Sequence, residues 1–556
     1  MFTQNPNCYF PNISDPSPVL LHASSPAYIK YKHKKLFRLP LFKDSLRKCS
    51  STTIETPPKD KESDTTTKKP VKKEKGVGAG GPINLLGVPK GNLGQPTYHT
   101  HRHIIRSEDH LTCGITQAEY KERRERFVSK LTEELNVNAS HIIVIPAARK
   151  QYMSDKIPYV FRQNSDFFYL TGCYEPSAAL VLVKPSQTDN FKSILFVHEK
   201  DDHAELWEGP RTGCTIAPKL FCVDEAQPVE QFGTFLNKMT LSTKPAVLWY
   251  NTESVADLEI QKAVQGAMRG DNNNLTIADP QRALHFMRVI KSPAEIEVMK
   301  ESCYIGSQAI NMAMSCTKSG LSEHMIAAVL EYTSKIAGGD HLAFPPVVAG
   351  GSRATHIHYV ANNQVLEDNE LLLVDSGSQR SMYNSDISRT WPVSGKFNKH
   401  QTILYELVLA VQERLIEILG EQRPPLDQLF DTMCRLLGKH LQQEGILSKN
   451  IDGQELLGKA YRLCPHHVSH YLGLDVHDSP LVRRNVPVSN NMIVTVEPGL
   501  YIRPDDTSVP EEFRGIGIRI EDDVLITERG PHILTSSCLK EIRDIEDIVG
   551  THGQFA

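Results

Sequence analysis

Four acidic residues of this 556-residue chain stand where acids are costly. Asp375 closes the apolar run ELLLVDSG, Glu497 ends MIVTVEPG and Glu521 ends IGIRIEDD. Asp386 follows Asp375 by eleven residues, in NSDISRT. A charged group ending an apolar strand is tolerated when it is paired or holds a metal. The segment PHHVSHYLGLDVHD (465–478) adds four histidines, His466, His467, His470 and His477. Four carboxylates with one imidazole from that set make an oxygen-rich donor group. Such a group suits Mn(II), and also Co(II), Fe(II) or Zn(II). Five donors are too many for one closed tetrahedral zinc. They fit two ions about 3.5–4 Å apart, bridged by carboxylates and a water. Such a pair polarises a carbonyl and makes hydroxide available near neutral pH. Each residue alone is commonplace: a strand-end Asp usually caps a turn, and a buried His usually bonds backbone. The five together carry the inference.

The elements that must position them are strands. A two-residue hairpin loop on Arg380–Ser381 would set Asp375 directly opposite Asp386. Like charges so placed destabilise a sheet, and a cation between them reverses that sign. Alternation in IGIRIEDDV sends Ile516, Ile518 and Ile520 to one face and Gly517, Arg519 and Glu521 to the other. Arg519 and Glu521 therefore enter the same space, and Thr495 shares the face of Glu497. Long amphipathic helices at 322–337, 399–419 and 425–444 alternate with these strands. SPAEIEVMKESCYIGSQAINMAMS (292–315) reads as a helix with Ser292 as N-cap and Pro293 at its first position.

Residues 115–285 show a different α/β pattern. The amphipathic helix ITQAEYKERRERFVSKL precedes the short strands HIIVIPA, AALVLVKP, SILFVHE and AVLWYN. The fold class is α/β (α+β), with a smaller domain at 111–285 and a catalytic domain at 286–556. A chain of this length is expected to divide in this way.

Composition bounds the rest. A net charge of −4 argues against a dedicated nucleic-acid binder. No apolar run approaches the ~20 residues of a membrane-spanning helix. Eleven Cys without a C-x-x-C pair argue against a disulfide framework or a Cys-ligated zinc, and for a reducing compartment. Residues 1–75 carry 15 Lys/Arg against 7 Asp/Glu, ahead of an acidic body. Residues 1–110 read as a disordered leader, rich in Pro, Ser, Thr and Lys, with GVGAGG (76–81) as a linker. Within it, YIKYKHKKLFRLPLFKDSLRKCSS (28–51) resembles a mitochondrial transit segment. It departs from that pattern in having no Lys or Arg before residue 30 and an Asp15. A mitochondrial destination is expected, with a cytoplasmic one as the alternative. HTHRH (99–103) lacks flanking carboxylates and reads as a solvated approach segment.

In order and spacing, LLLVDSG, NSDISRT, HHVSHYLGLDVHD, TVEPG and IRIEDD resemble the pita-bread metallopeptidases. The resemblance covers about 115–550, including RQNSDFFYLTG (162–172), and is nearest to the aminopeptidase P type. NLGQPTYHTHRHII supports its mitochondrial members. The resemblance implies a pita-bread catalytic domain. It also implies a metal-dependent aminopeptidase acting on peptides with N-terminal Xaa-Pro, by attack of a water bridging two divalent ions. Asp375 would hold one ion, Asp386 and Glu521 would bridge both, and His470 and Glu497 would complete the other. Glu497 would also receive a proton from the bridging water. His358, in THIHYV, matches a proton-shuttle or substrate-positioning His. His466 and His477 would contact the scissile carbonyl and the proline side, and Arg519 would orient a ligand carboxylate. Tyr501 falls where the family lines its proline pocket. Trp207, in AELWEGPRTG, matches a residue reaching into a neighbouring subunit's site, which implies a homodimer. Two alternatives stay open: a prolidase-type dipeptidase, and a non-catalytic binding scaffold on the same fold. The intact carboxylates weigh against the scaffold.

Overall fold

Runs such as HIIVIP and ALVLVK are apolar at successive positions, so their strands must be covered on both faces. The computed structural model, which describes Val88 and residues 90–135, 137–253, 257–269 and 275–552, shows this arrangement. The first sheet has six strands, in the order Leu275–Ala278, Ala246–Trp249, Ser140–Pro146, Ala179–Lys184, Lys192–Val197 and Glu225–Pro228. Ser140–Pro146 runs antiparallel to Ala179–Lys184 and parallel to Ala246–Trp249. Ile143 and Ile145 enter one core, and Ile142 and Val144 another on the opposite face.

The transit-like segment, GVGAGG and all residues before Val88 lie outside the described residues. The expected unfolded leader nevertheless reaches too far. Leu93, Gln95, Thr97 and Ile105 are buried. Gln95 donates to the Gly172 carbonyl and accepts from the Tyr174 N–H. The segment has no helical or strand period, so its docking left no periodic signal.

The second half opens on the helix Pro293–Cys316. Ser292 caps it, and Glu295 reaches back in a capping box. The Glu295 carboxylate also accepts from the Tyr383 hydroxyl at 2.8 Å. The first core continues without a break into this half, through Met299, Cys303, Met382, Tyr383, Leu472, Leu474 and Ile493.

Three strands make the frame nearest the site. Leu371–Ser376 lies between Val347–Gly350 and Ile387–Pro392, all antiparallel. The hairpin continues through Ser378–Arg380 and Tyr383–Asn384. Its loop is Ser381–Met382, not Arg380–Ser381. Both loop residues have positive φ, 47° and 71°, which a two-residue type I′ turn requires. Asp375 therefore faces Ser388 rather than Asp386. The hairpin register puts Asp386 across from Gly377, in the gap between the two halves of the ladder. Only glycine fits there, because a Cβ would meet the Ser385 carbonyl oxygen at 1.8 Å. The slip is two residues, so both acids keep a common face.

A second ladder carries the glutamates. Ile493–Val496 pairs with Asp522–Thr527, and Gly499–Tyr501 pairs with Gly517–Arg519.

Candidate metal centre

Glu497 and Glu521 occupy the interruption between those two pairings. The partners on both sides are in one register, and that register sets the two glutamates opposite each other. The His-bearing segment lies along the same strand. Thr495 N–H donates to the His470 carbonyl, Glu497 N–H to that of Val468, and Leu472 N–H to that of Ile493. Strand Ile387–Pro392 approaches from the other side: Glu521 N–H donates to the Ser388 carbonyl. Asp386, His470 and Glu521 each present a donor atom, and these atoms lie within 4.8 Å of one another. His470 Nε2 is 3.4 Å from Asp386 Oδ2 and 3.5 Å from Glu497 Oε1. Its Nδ1, 3.1 Å from the Tyr471 carbonyl, carries the proton and leaves the Nε2 lone pair facing the carboxylates.

The donor set fits a divalent cation. Asp375 Oδ1, Asp386 Oδ1 and Glu521 Oε1 are buried oxygens with no hydrogen-bond partner. Buried polar groups are almost always satisfied, so three orphaned carboxylate oxygens in one place call for a cation. The electrostatics agree. Burial, then the charges of Asp375, Asp523 and Glu497, push the Asp386 carboxyl well above its usual range. Burial, then Asp386, Glu497 and Asp375, do the same to Glu521. Burial raises Glu497, against the pull of His470 and Arg519. Among the described residues the HTHRH histidines gather no such donor group.

Arg519 is fully buried and donates three ways. Its Nη2 reaches Asp375 Oδ2 at 2.7 Å, its Nε Ser388 Oγ at 2.8 Å and its Nη1 Tyr501 Oη at 2.7 Å. Ser388 Oγ in turn donates to Glu521 Oε2 at 2.7 Å. Tyr501 Oη lies 2.8 Å from His466 Nε2, and His466 Nδ1 is 3.0 Å from the His467 carbonyl. A relay follows: Arg519 donates to Tyr501, Tyr501 to His466, and His466 to backbone. Burial and then Arg519 lower His466 to about 4, so the ring stays neutral.

These groups border a cavity of about 620 Å³. His358, His466, His477 and Arg519 line it with all five candidate ligands. His358 and His477 are exposed, and the His477 ring meets that of His470 edge-on at 4.6 Å. Partial desolvation at the cavity wall and then His470 lower His477 to about 4. Phe344, Pro345, Ile357 and Val360 form an apolar wall. Tyr501 does not line the cavity; it is 5% exposed and its hydroxyl is committed to Arg519 and His466. Trp207, on the helix Asp202–Glu208, is 77% exposed and lies outside its own chain's cavity. His467 also lines the cavity, stacked on Phe430 at 5.1 Å and 3.4 Å from Asp427.

Two groups, Ser388 and Asp523, escaped the sequence reading, and Thr495 was placed on the face of Glu497 without a role. Ser388 is a hydroxyl without a distinguishing pattern. Thr495 Oγ1 accepts the His470 N–H at 3.1 Å and donates to Glu497 Oε1 at 3.4 Å. Asp523 accepts from Asp386 N–H at 3.0 Å and from the Cys303 thiol at 3.2 Å, and burial pushes it up to about 7. Its signal was the run of three acids in IRIEDD. Alternation returns Asp523 to the face of Glu521 and sends Asp522 to the opposite one, where Arg389 holds it at 2.7 Å.

Residues 297–528 match metallopeptidase family M24, and residues 120–249 match the aminopeptidase P N-terminal domain. The chain is 40% identical over 476 residues to Xaa-Pro aminopeptidase 3 of Homo sapiens, covering 84% of this chain and 92% of that one. It is 36% identical over 465 residues to the mitochondrial intermediate cleaving peptidase 55 of Arabidopsis thaliana, covering 83% and 88%. The solved structure of zinc-substituted E. coli aminopeptidase P in complex with product superposes with a TM-score of 0.71. It is 32% identical and covers 79% of this chain and 100% of that one.

Proposed function

The chain belongs to metallopeptidase family M24, in the branch with an aminopeptidase P N-terminal domain, and on that footing we propose that it releases the N-terminal residue from peptides with proline in second position. One observation carries this reading. Asp386, His470 and Glu521 converge around carboxylate oxygens that no protein donor satisfies. Asp375 and Glu497 complete the ligand set. Mn(II) suits so oxygen-rich a group best, with Co(II), Zn(II) and Fe(II) as alternatives. A bound divalent pair polarises the scissile carbonyl and lowers the pKa of water toward neutrality.

The chain's own residues do the rest. Glu497, steadied by Thr495, takes a proton and returns it to the leaving nitrogen. Arg519 fixes the angle of Asp375. His358 and His477 face the substrate across the cavity, and neutral His466, held by Tyr501 and the His467 carbonyl, lies 3.6 Å from Glu497 without adding charge. The Xaa-Pro bond has no N–H and a fixed φ. A site that works on the carbonyl side, from carboxylates and imidazoles, does not need that N–H.

Two further readings belong here. The exposed Trp207 suits a homodimer in which each chain completes its partner's site. The basic segment 28–51, with a relative named as mitochondrial, supports a mitochondrial address. The test of the main reading is turnover of Xaa-Pro-Yaa tripeptides against Xaa-Pro dipeptides, after chelation and with Mn(II) restored. Tripeptide cleavage that returns with metal is expected. Cleavage of the dipeptide alone would assign a prolidase instead.

A further inference from the structure

The motif RQNSD (162–166) sits in the first half of the chain, yet its polar groups are spent on the second. Ser165 Oγ donates to Asp475 Oδ1 at 2.6 Å, and Arg162 Nη2 reaches the same oxygen at 3.1 Å. Asp166 accepts from Arg288 Nη1 at 2.7 Å. Arg288, 3% exposed and the last residue of the helix Gln281–Arg288, turns its other nitrogen to Asp475 Oδ2 at 2.6 Å and to Asp478. Lys291, equally buried, lies 3.6 Å from the second oxygen of Asp478.

Asp475 and Asp478 bracket His477. The loop between them is closed by Asp478 N–H donating to the Tyr471 carbonyl, and Asn384 holds the Leu474 carbonyl at 2.8 Å. Three segments distant in sequence, around residues 162–165, 288–291 and 384, thus grip one short loop. The loop lines the cavity with Asp475, Val476 and His477, and it is the His477 ring that packs edge-on against His470. A buried guanidinium spanning three carboxylates is costly to assemble, and no reacting group in the site touches it.

We propose that Arg288, Ser165 and Arg162 are positioning residues for His477: the first half of the chain sets the angle at which that imidazole meets the substrate. The proposal rests on the reading of His477 as a substrate-facing group. Misplacing such a group by about 1 Å is enough to cost one to two orders of magnitude in rate.

The test is a double-mutant cycle in the full chain loaded with Mn(II). Arg288→Met strips three carboxylates, two of them buried, of a shared partner and risks unfolding, so Ser165→Ala is the working variant. Ser165→Ala is expected to lower kcat about tenfold with KM little changed. The Mn(II) Kd and the thermal midpoint should stay at their wild-type values. In a His477→Ala background the same change should have almost no further effect on kcat. An equal, additive loss in that background would overturn the proposal, as would a silent Ser165→Ala in the wild type. A His477→Ala enzyme with undiminished turnover would instead overturn the reading of His477, and the clamp's catalytic role with it.

Discussion

Glu497 and Glu521 face each other across the gap in an antiparallel ladder, with paired backbone on either side of them. Two acids directly opposed, Glu521 buried and Glu497 mostly so, are destabilising as they stand. The rest of the centre is arranged around that opposition. His470 and Asp386 close it on one flank, and Arg519 with Ser388 holds the other.

Replacing Glu521 by Gln removes one of the opposed charges and keeps an acceptor for Ser388. The chelated protein is expected to be no less stable than wild type at pH 7.5. Addition of Mn(II) should no longer raise its thermal midpoint. Changes beside a ligand typically cost 10–100-fold, so loss of the ligand itself should cost at least about 100-fold in turnover. Thermal unfolding with EDTA and with Mn(II), beside a peptidase assay, reads all three.

The raised carboxyls of Asp386 and Glu521 give the pH dependence its sign. In the metal-free chain these groups bind more protons folded than unfolded. Their contribution is fully present below about 4–4.5, the unfolded range, and is lost as pH rises toward the folded values. A bound cation replaces those protons. The gap in thermal midpoint between loaded and chelated protein should therefore widen from pH 5.5 to 7.5. At a hundredfold excess of ion over Kd it corresponds to about 2.7 kcal/mol. A gap that narrows over this interval would contradict the assignment.

Tyr501→Phe breaks the relay from Arg519 to His466 without emptying the core. Leaving those buried nitrogens unsatisfied should cost about 1–3 kcal/mol. Turnover should fall while metal affinity holds, since Tyr501 touches neither the ligands' free oxygens nor the cavity. If Tyr501 lined a proline pocket, KM would bear the loss instead; a kcat/KM decomposition decides.

Trp207→Ala should shift stability by no more than about 0.5 kcal/mol, because the side chain is exposed. If each subunit completes its partner's site, turnover falls all the same. Mixing Trp207→Ala with Glu497→Gln chains would then restore activity, since a mixed dimer has one intact site. Two variants that fail to complement, in a mixture shown by sedimentation to exchange subunits, would place Trp207 outside catalysis.

Much of this centre was legible in the sequence, and the lapses have particular causes. Asp375 and Asp386 were assigned a common face on a misplaced loop. The inference survived because strand side chains repeat every two residues and the error was two. The loop itself was hidden: Ser381–Met382 adopts a turn usually marked by Asn-Gly, and the buried Met382 holds it in place. The facing of Glu497 and Glu521 was invisible because an irregular stretch joins their strands, and register cannot be counted through it. Tyr501 was placed by position along the strand, but only the packed structure shows its hydroxyl turned toward Arg519. Leu93 and Ile105 carried no period by which their docking could be seen.

The apolar core that runs from Ile143 and Leu182 through Met382 and Leu474 has a consequence for how this protein can be cut. A fragment beginning near residue 286 would keep every candidate ligand and lose one wall of the core against which their loops rest. Its newly bared surface would include Met382, Tyr383, Leu472 and Leu474, an invitation to aggregate. Exchange of parts between relatives should therefore succeed only when both halves travel together.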